Sequence, residues 1–175
     1  MKTSLALAAA IVLAATVSAH AASTKLTVNK IDASGVGAPI GTISFSDSKS
    51  GLVIQPHLKG MPTGPHGFHI HENPSCAPGD QNGNKVAGLG AGGHFDPDHT
   101  GKHLGPDAMG GHRGDMPVLT VDAKGMAGGR LLAPHLKVSD LKGHSLVIHA
   151  SGDNYSDQPA PLGGGGARIA CGVFK

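Results

Sequence analysis

The most unusual feature of this sequence is its histidine content. Its 175 residues include 12 histidines, as many as Asp and Glu together. The segment Phe68-His69-Ile70-His71 alternates apolar and imidazole side chains. Alternate side chains of a β-strand point to opposite faces, so His69 and His71 would share one face. Two such imidazoles can converge on a metal ion, although two solvated surface histidines would give the same pattern.

A third histidine strengthens the metal hypothesis. In Leu146-Val147-Ile148-His149 the residues alternate again, which puts Leu146 and Ile148 on one face and His149 on the other. If this strand lies beside the first, His149 would add a third imidazole to a rigid site. Imidazole ligands suit copper and zinc.

A further set of potential ligands lies between the two strands. His94, His103 and His112 are spaced nine residues apart, and Asp115 follows three residues after the last. Three imidazoles and one carboxylate make a closed set of four ligands, which is typical of structural zinc. Such a site would hold a loop that has no evident apolar core. The alternative is a flexible histidine-rich loop that buffers metal ions.

The elements that must position these residues are short strands. Turn-forming residues are frequent, with 28 Gly and 12 Pro, and helical periodicity supports no more than one turn, within 137–142. Eight segments have strand character. They are 26–31, 42–46, 52–55, 67–71, 117–121, 126–132, 145–150 and 167–173. This number of short strands predicts an antiparallel sandwich or barrel.

Two long segments separate the strands, and the overall composition limits their function. Residues 73–115 are rich in Gly and His, and residues 151–166 end in four glycines. Loops of this length are usually functional or disordered. A net charge of +2 and an aromatic content of 3% argue against nucleic-acid binding through bulk charge and against an aromatic-rich binding face. The length fits a single domain.

The N-terminal residues have the pattern of a secretory signal peptide. Lys2 precedes an apolar stretch over 5–17, and small residues follow, so cleavage is expected after Ala19 or Ala21. A transmembrane anchor is the weaker alternative, because about 20 apolar residues are needed to span a bilayer. We therefore expect residues 1–21 to direct export and 22–175 to form the mature domain, with no membrane contact after cleavage.

Several motifs taken together resemble the copper, zinc superoxide dismutases, specifically the bacterial periplasmic type. The resemblance runs from about His66 to the end of the chain. It rests on Gly67-Phe68-His69-Ile70-His71 with Cys76, Gly92-Gly93-His94-Phe95-Asp96-Pro97, Thr100-Gly101-Lys102-His103, Gly111-His112-Arg113-Gly114-Asp115, the run from His149 to Asp153, and the run from Pro161 through four glycines to Val173. It implies an eight-stranded antiparallel Greek-key β-barrel, flattened like a sandwich, with two functional loops.

The same resemblance implies a role for each candidate ligand. His69, His71 and His149 would bind copper alone, His94 would bridge copper and zinc, and His103, His112 and Asp115 would complete the zinc site. Asp153 would accept hydrogen bonds from one imidazole of each site, in keeping with the acceptors that ligating histidines usually have.

What the resemblance implies chemically is the dismutation of superoxide to oxygen and hydrogen peroxide by one-electron cycling of the copper. Arg168, one of three arginines in the chain, would bind the superoxide anion, and His94 would carry a proton to the departing peroxide. Lys102, beside a zinc ligand, is a candidate for guiding superoxide. The alternative from another class is a periplasmic copper- or zinc-binding protein without turnover. A monomer and a homodimer both remain open.

The chain contains two cysteines, Cys76 and Cys171. An even, minimal number in an exported chain favours one disulfide bond. This bond would connect the start of the metal-binding loop with the strand that carries Arg168.

Overall fold

A computed structural model describes residues 21–175. The predicted signal peptide lies almost entirely outside these residues. Within them the framework is made of β-strands. They are β1 (Ser23–Asp32), β2 (Gly35–Ser48), β3 (Gly51–Leu58), β4 (Gly64–His66), β5 (Phe68–His71), β6 (Gly79–Gln81), β7 (Asn84–Val86), β8 (Leu119–Val121), β9 (Leu131–Ala133), β10 (Ser145–His149) and β11 (Arg168–Val173). Three short 3-10 turns lie at Leu89–Ala91, Val138–Asp140 and Leu162–Gly164.

The strands close into an antiparallel barrel. Seven of them are hydrogen-bonded in the order β5-β10-β11-β1-β2-β3-β9, and β4 pairs with β8. Ala127 forms bridges with Leu58 at the end of β3 and with Val121 in β8, which joins the two sheets on one side. Gly67 alone separates β4 from β5 and joins them on the other. The order β11-β1-β2-β3 is that of a Greek key, since β1 to β3 are consecutive and β11 returns beside β1.

This architecture confirms the sequence-based prediction. Each of the eight predicted segments contains paired strand residues. The barrel has eight strands when β4 and β5 are counted as one strand and Ala127 is counted with β9. The single helical turn expected within 137–142 is the 3-10 turn Val138–Asp140.

The strands that carry the histidines are buried on both faces. Every residue of β5 and of β10 is buried. One face of these strands packs in the barrel core, where Phe68, Ile70 and Leu146 are fully covered. The opposite face carries His69 and His71 and is covered by the long loops. A face that bears imidazoles is thus removed from water, which requires a partner for each polar atom.

The disulfide bond predicted from the two cysteines is present. Cys76 and Cys171 are joined, with their Cα atoms 5.8 Å apart. Cys171 lies on β11 opposite Val147 of β10, and both pack in a small second cluster with Ile31 and Ala91. The bond fastens the beginning of the long segment 73–115 to the outside of the barrel wall.

The long segment 73–115 has more structure than the sequence predicted. It contains a hairpin of β6 and β7, whose two-residue turn is Asn82-Gly83 with φ of 53° and 79°. Positive φ at both positions is the geometry for which Asn-Gly is preferred in two-residue hairpins. The flanking strands are polar, so the alternation that reveals a half-buried strand is missing. No helix in the described part of the chain is long and apolar enough to cross a membrane.

Candidate metal centre

The barrel and the first long loop meet along β5. The loop pairs with this strand at two isolated bridges, between His71 and His94 and between His69 and Asp115. The backbone of Ile70 holds both parts of the loop, because its N–H donates to the carbonyl of Gly114 and its carbonyl accepts from the N–H of Phe95. Loop residues that are distant in sequence are therefore placed in register with the strand histidines.

Four histidines converge on one point, and we call them the four-histidine group. They are His69, His71, His94 and His149, and one ring nitrogen of each lies within 4.8 Å of the others. All four are buried, and the Nε2 atoms of His71 and His149 are 3.4 Å apart. The alternation in two neighbouring strands thus brings together the residues that it predicted to share a face.

A second group surrounds the carboxylate of Asp115, and we call it the Asp115 group. Asp115 Oδ1 lies 3.0 Å from His94 Nδ1 and 3.5 Å from His112 Nδ1, and Oδ2 lies 3.0 Å from His103 Nδ1. His94 therefore belongs to both groups, with Nδ1 directed toward Asp115. His69 is also close, within 4.8 Å of the ligand atoms of His94, His103 and Asp115.

Hydrogen bonds on the outer side fix the orientation of the rings. Asp153 joins the two groups, with Oδ2 2.7 Å from His69 Nε2 and Oδ1 2.7 Å from His103 Nε2. His71 donates its Nδ1–H to the carbonyl of Gly92 (3.1 Å), and His149 donates its Nδ1–H to Gly166 (3.2 Å). Each of these rings consequently directs its other nitrogen inward.

The inward nitrogens are the feature that tests whether metal ions fit. Four buried ring nitrogens within residues 21–175 lack a hydrogen-bond partner, namely His69 Nδ1, His94 Nε2, His103 Nδ1 and His112 Nδ1. A buried polar atom without a partner costs about 1–3 kcal/mol. Coordination of a cation in each group would satisfy them. An all-imidazole set suits copper, and three imidazoles with one carboxylate suit zinc, so the residues fit both ions.

The two groups differ in their protonation. Burial lowers the pKa of His69 to about 3 and that of His149 to about 4, so both rings are neutral near pH 7. Burial would also lower the pKa of His103, but the adjacent carboxylates of Asp115 and Asp153 outweigh this and raise the pKa to about 9. The histidines around these two carboxylates hold the pKa of both carboxyls well below the usual range, against the effect of burial.

The glycine-rich end of the second loop is needed for close approach to the site. Gly163 has a φ of 70°, and a Cβ there would collide with the carboxylate of Asp153 and lie 2.7 Å from His103 Nε2. A Cβ on Gly165 would lie 3.1 Å from the ring of His149. Any larger residue at Gly163 would displace the carboxylate that joins the two groups.

Arg168 lies half-buried beside the four-histidine group. It is paired with His149 across β10 and β11. Its two terminal nitrogens donate to the carbonyls of Gly88 (2.6 Å) and Gly92 (2.7 Å). Burial lowers its pKa from the usual value, but guanidinium is charged throughout the working pH range. A fixed cation therefore lies next to His149, the most exposed member of the histidine cluster.

Comparison with known proteins identifies the family. A family model described as copper/zinc superoxide dismutase (SODC) matches residues 39–174. The chain belongs to this family. It is 60% identical over 153 residues to superoxide dismutase [Cu-Zn] 1 of Salmonella typhimurium, an alignment that covers 86% of each chain. The activity is therefore the dismutation of superoxide, an oxidoreductase reaction that uses copper and zinc.

Solved structures agree with the barrel described above. The copper/zinc superoxide dismutase from Brucella abortus superposes with a TM-score of 0.86 at 47% identity, covering 88% of this chain and 100% of that one. The monomeric copper, zinc superoxide dismutase from Salmonella enterica gives a TM-score of 0.79 at 52% identity with the same coverage. The family match begins at residue 39, earlier than the motifs from His66 onward had indicated.

Sequence reasoning missed some residues that support this superoxide dismutase site. Asp157 accepts hydrogen bonds from the backbone N–H of His103 (3.0 Å) and of Leu162 (3.2 Å), which ties the two loops together. The hydroxyl of Tyr155 accepts from the N–H of Val118 (2.9 Å), and its ring lies against Gly105. Neither residue belongs to a recognisable motif, and only the folded loops reveal their partners.

Proposed function

We propose that the four-histidine group binds the copper ion at which superoxide reacts and that the Asp115 group binds zinc. In this assignment His94 would help to hold both ions, because it belongs to both groups. Asp153 holds one imidazole of each site through its two oxygens. The zinc ligands would be His94, His103, His112 and Asp115.

The observation that supports this assignment best is that the two nitrogens of each ring have different surroundings. In His69 and His103 one nitrogen is bonded to Asp153 and the other is buried without a partner. In His71 and His149 the Nδ1 atoms are bonded to backbone carbonyls, and the Nε2 atoms face each other. Outer acceptors of this kind select the tautomer that presents a lone pair to a metal.

The chemistry divides between the ions and the chain. Copper, when bound, supplies the one-electron couple for oxidation and reduction of superoxide, and zinc supplies a fixed positive charge beside it. Arg168 binds and orients the superoxide anion, because its guanidinium is held by Gly88 and Gly92 next to His149. The positive charge also raises the local concentration of a small anion.

His94 is positioned to move a proton. Its Nε2 is buried without a hydrogen-bond partner, while its Nδ1 is held at Asp115. When Nε2 is not occupied by copper, it can therefore carry a proton while the other side of the ring remains fixed. That proton would supply one of the two that the departing peroxide takes up when the second superoxide is reduced, and solvent would supply the other.

The test of the assignment measures superoxide consumption and metal content on the same samples. Wild-type protein should bind about one copper and one zinc per chain and should lose activity when copper is removed. His149→Ala should lose copper and activity but keep zinc, whereas His112→Ala should lose zinc first. His135→Ala, an exposed histidine outside both groups, is the control. Full loading of both metals without dismutation would instead support a metal-binding protein without turnover.

We also propose that residues 1–21 direct export and that residues 22–175 form the mature periplasmic enzyme. The support is the sequence of a charged start, an apolar stretch and small residues before Ala19 and Ala21. Mass spectrometry of the protein recovered from the periplasm of an expressing bacterium should show an N-terminus at residue 20 or 22. An intact Met1 on protein from the cytoplasm would contradict the proposal.

A further inference from the structure

A small surface cleft leads to one side of the Asp115 group. Its volume is 220 Å³, and it is formed mainly by the loop between residues 98 and 115. Exposed residues line its outer part, among them Asp98, Met109 and His135. His112 and Asp115 line its inner part. The cleft thus runs from solvent to two of the four proposed zinc ligands.

The exposure of the ligands indicates which of them the cleft reaches. The side chain of His112 is 8% exposed, whereas those of His94, His103 and Asp115 are 1%, 0% and 0% exposed. The most accessible member of the four-histidine group is His149, which lies beside Arg168. The two groups therefore approach the surface at different residues and on different elements.

An ion pair lies within the lining of the cleft. Arg113 Nη2 is 2.9 Å from Asp98 Oδ2, and both residues are part of the lining. The pair connects the chain before the segment Gly105–Gly111 with the chain after it. Both side chains are substantially exposed, at 36% and 65%. Exposed pairs of this kind contribute little and break readily, so the contact can hold the cleft narrow without sealing it.

We propose that this cleft is the route by which zinc enters and leaves the Asp115 group, independently of copper, and that the Arg113–Asp98 ion pair restricts passage through it. The inference rests on the proposed assignment of the Asp115 group to zinc. The segment from Gly105 to Gly111 forms the wall of the cleft and contains three glycines, so small backbone movements can widen it.

The test uses two variants that break the ion pair while changing the net charge in opposite directions. Arg113→Gln removes a positive charge, and Asp98→Asn removes a negative one. Zinc uptake by the metal-free protein and zinc removal by EDTA are followed in separate experiments. If the pair restricts a passage, both variants should accelerate uptake and removal together, by about two- to fivefold, the range allowed by loss of an exposed ion pair. The zinc affinity should not change.

A purely electrostatic effect gives a different pattern. Removing the positive charge of Arg113 would speed zinc uptake and slow its removal, and Asp98→Asn would do the reverse. Lys85→Gln is the matched control, because it breaks a second exposed carboxylate–cation pair, Lys85–Asp80 at 2.9 Å, which lies in the β6–β7 hairpin outside the cleft. Opposite changes in the two rates, or equal acceleration in the control, would overturn the inference.

A variant that fills the cleft gives an independent measurement. Ala108 lines the cleft and is half-buried. Ala108→Phe should slow uptake and removal of zinc to the same extent, while the rate of copper uptake stays at the wild-type value. If the zinc stoichiometry is unaffected in His112→Ala, the proposed zinc assignment itself is wrong. If His112→Ala loses zinc but Ala108→Phe exchanges zinc at the wild-type rate, only the entry route is wrong.

Discussion

The guanidinium of Arg168 donates a hydrogen bond of 2.7 Å to the carbonyl oxygen of Gly92. The same oxygen accepts a hydrogen bond of 3.1 Å from Nδ1 of His71. One backbone carbonyl therefore orients both the proposed anion-binding cation and a proposed copper ligand. A shift of either side chain is transmitted to the other through this atom, which makes Arg168 part of the geometry of the site as well as part of its charge.

Replacement of Arg168 should separate these two contributions. Arg168→Ala should lower the second-order rate of superoxide consumption by about tenfold or more, because a charged cleft raises the rate of anion capture by about 10- to 1000-fold. Arg168→Lys retains the charge but not the planar group that reaches two carbonyls, so its rate should be intermediate.

Pulse radiolysis at two salt concentrations, with copper content determined on the same samples, would measure the effect. Arg130→Ala is the control, since Arg130 is exposed and away from the site. A loss of copper in Arg168→Ala that accounts for the whole loss of rate would argue against a role in anion binding.

Replacement of Asp153 should weaken both metal sites at once. The carboxylate of Asp153 accepts hydrogen bonds from His69 Nε2 and His103 Nε2, each at 2.7 Å. Asp153→Asn replaces this carboxylate with an amide. An amide has one acceptor oxygen and no charge, so one imidazole loses its orienting partner and the other keeps only a weaker, neutral hydrogen bond. Loss of such a partner typically lowers metal affinity by about 10- to 100-fold.

Competition titrations with copper and zinc chelators would measure the two affinities. Asp80→Asn, an exposed carboxylate in the β6–β7 hairpin, is the control. A decrease confined to one metal would mean that Asp153 holds only one of the two rings in solution.

The strands and the convergence of the histidines on one face were predictable for the same reason. Burial of an apolar face imposes alternation on a strand, and the alternation of Phe68 and Ile70 with His69 and His71 shows both the strand and its imidazole face. The convergence of His149 on this face required only that its strand be a neighbour, which the pairing of β10 with β5 establishes.

The groups that hold the candidate site in place from outside were harder to predict from the sequence. The carbonyl of Gly92 and the carboxylate of Asp157 act through contacts between loops that are distant in sequence. Backbone carbonyls carry no sequence signal, and a loop carboxylate does not differ in type from a solvated one. The hairpin of β6 and β7 was missed although Asn82-Gly83 is a strong turn signal, because its strands have no buried face.

The opposite pKa shifts in the two groups predict different proton release on metal binding. His103 has a pKa raised to about 9, so the metal-free protein carries a proton on this ring at pH 7. Zinc can bind Nδ1 only after that proton has left. Zinc affinity should therefore rise with pH up to about 9 and level off above it, with about one proton released per zinc at pH 7.

Copper binding should show no such dependence between about pH 5 and 8. His69 and His149, with pKa values lowered to about 3 and 4, are already neutral there. A pH-stat titration of the metal-free protein with each ion would measure the protons released. Equal release for the two metals would contradict the assignment of the charged ring to the zinc side.

The disulfide bond should stabilise the fold chiefly through the unfolded chain. Cys76 and Cys171 are 95 residues apart, and the chain-entropy model assigns about 4–5 kcal/mol to a closed loop of this length. The double variant Cys76→Ser and Cys171→Ser should therefore unfold at lower denaturant concentration, with both metal sites still able to form in the folded state. Guanidinium unfolding of the metal-free forms measures the difference directly. The contrary outcome is that the metal-free variant unfolds at the same guanidinium concentration as the metal-free wild type and yet binds copper more weakly. In that case the bond acts instead by holding the loop that carries Gly88 and Gly92 against Arg168.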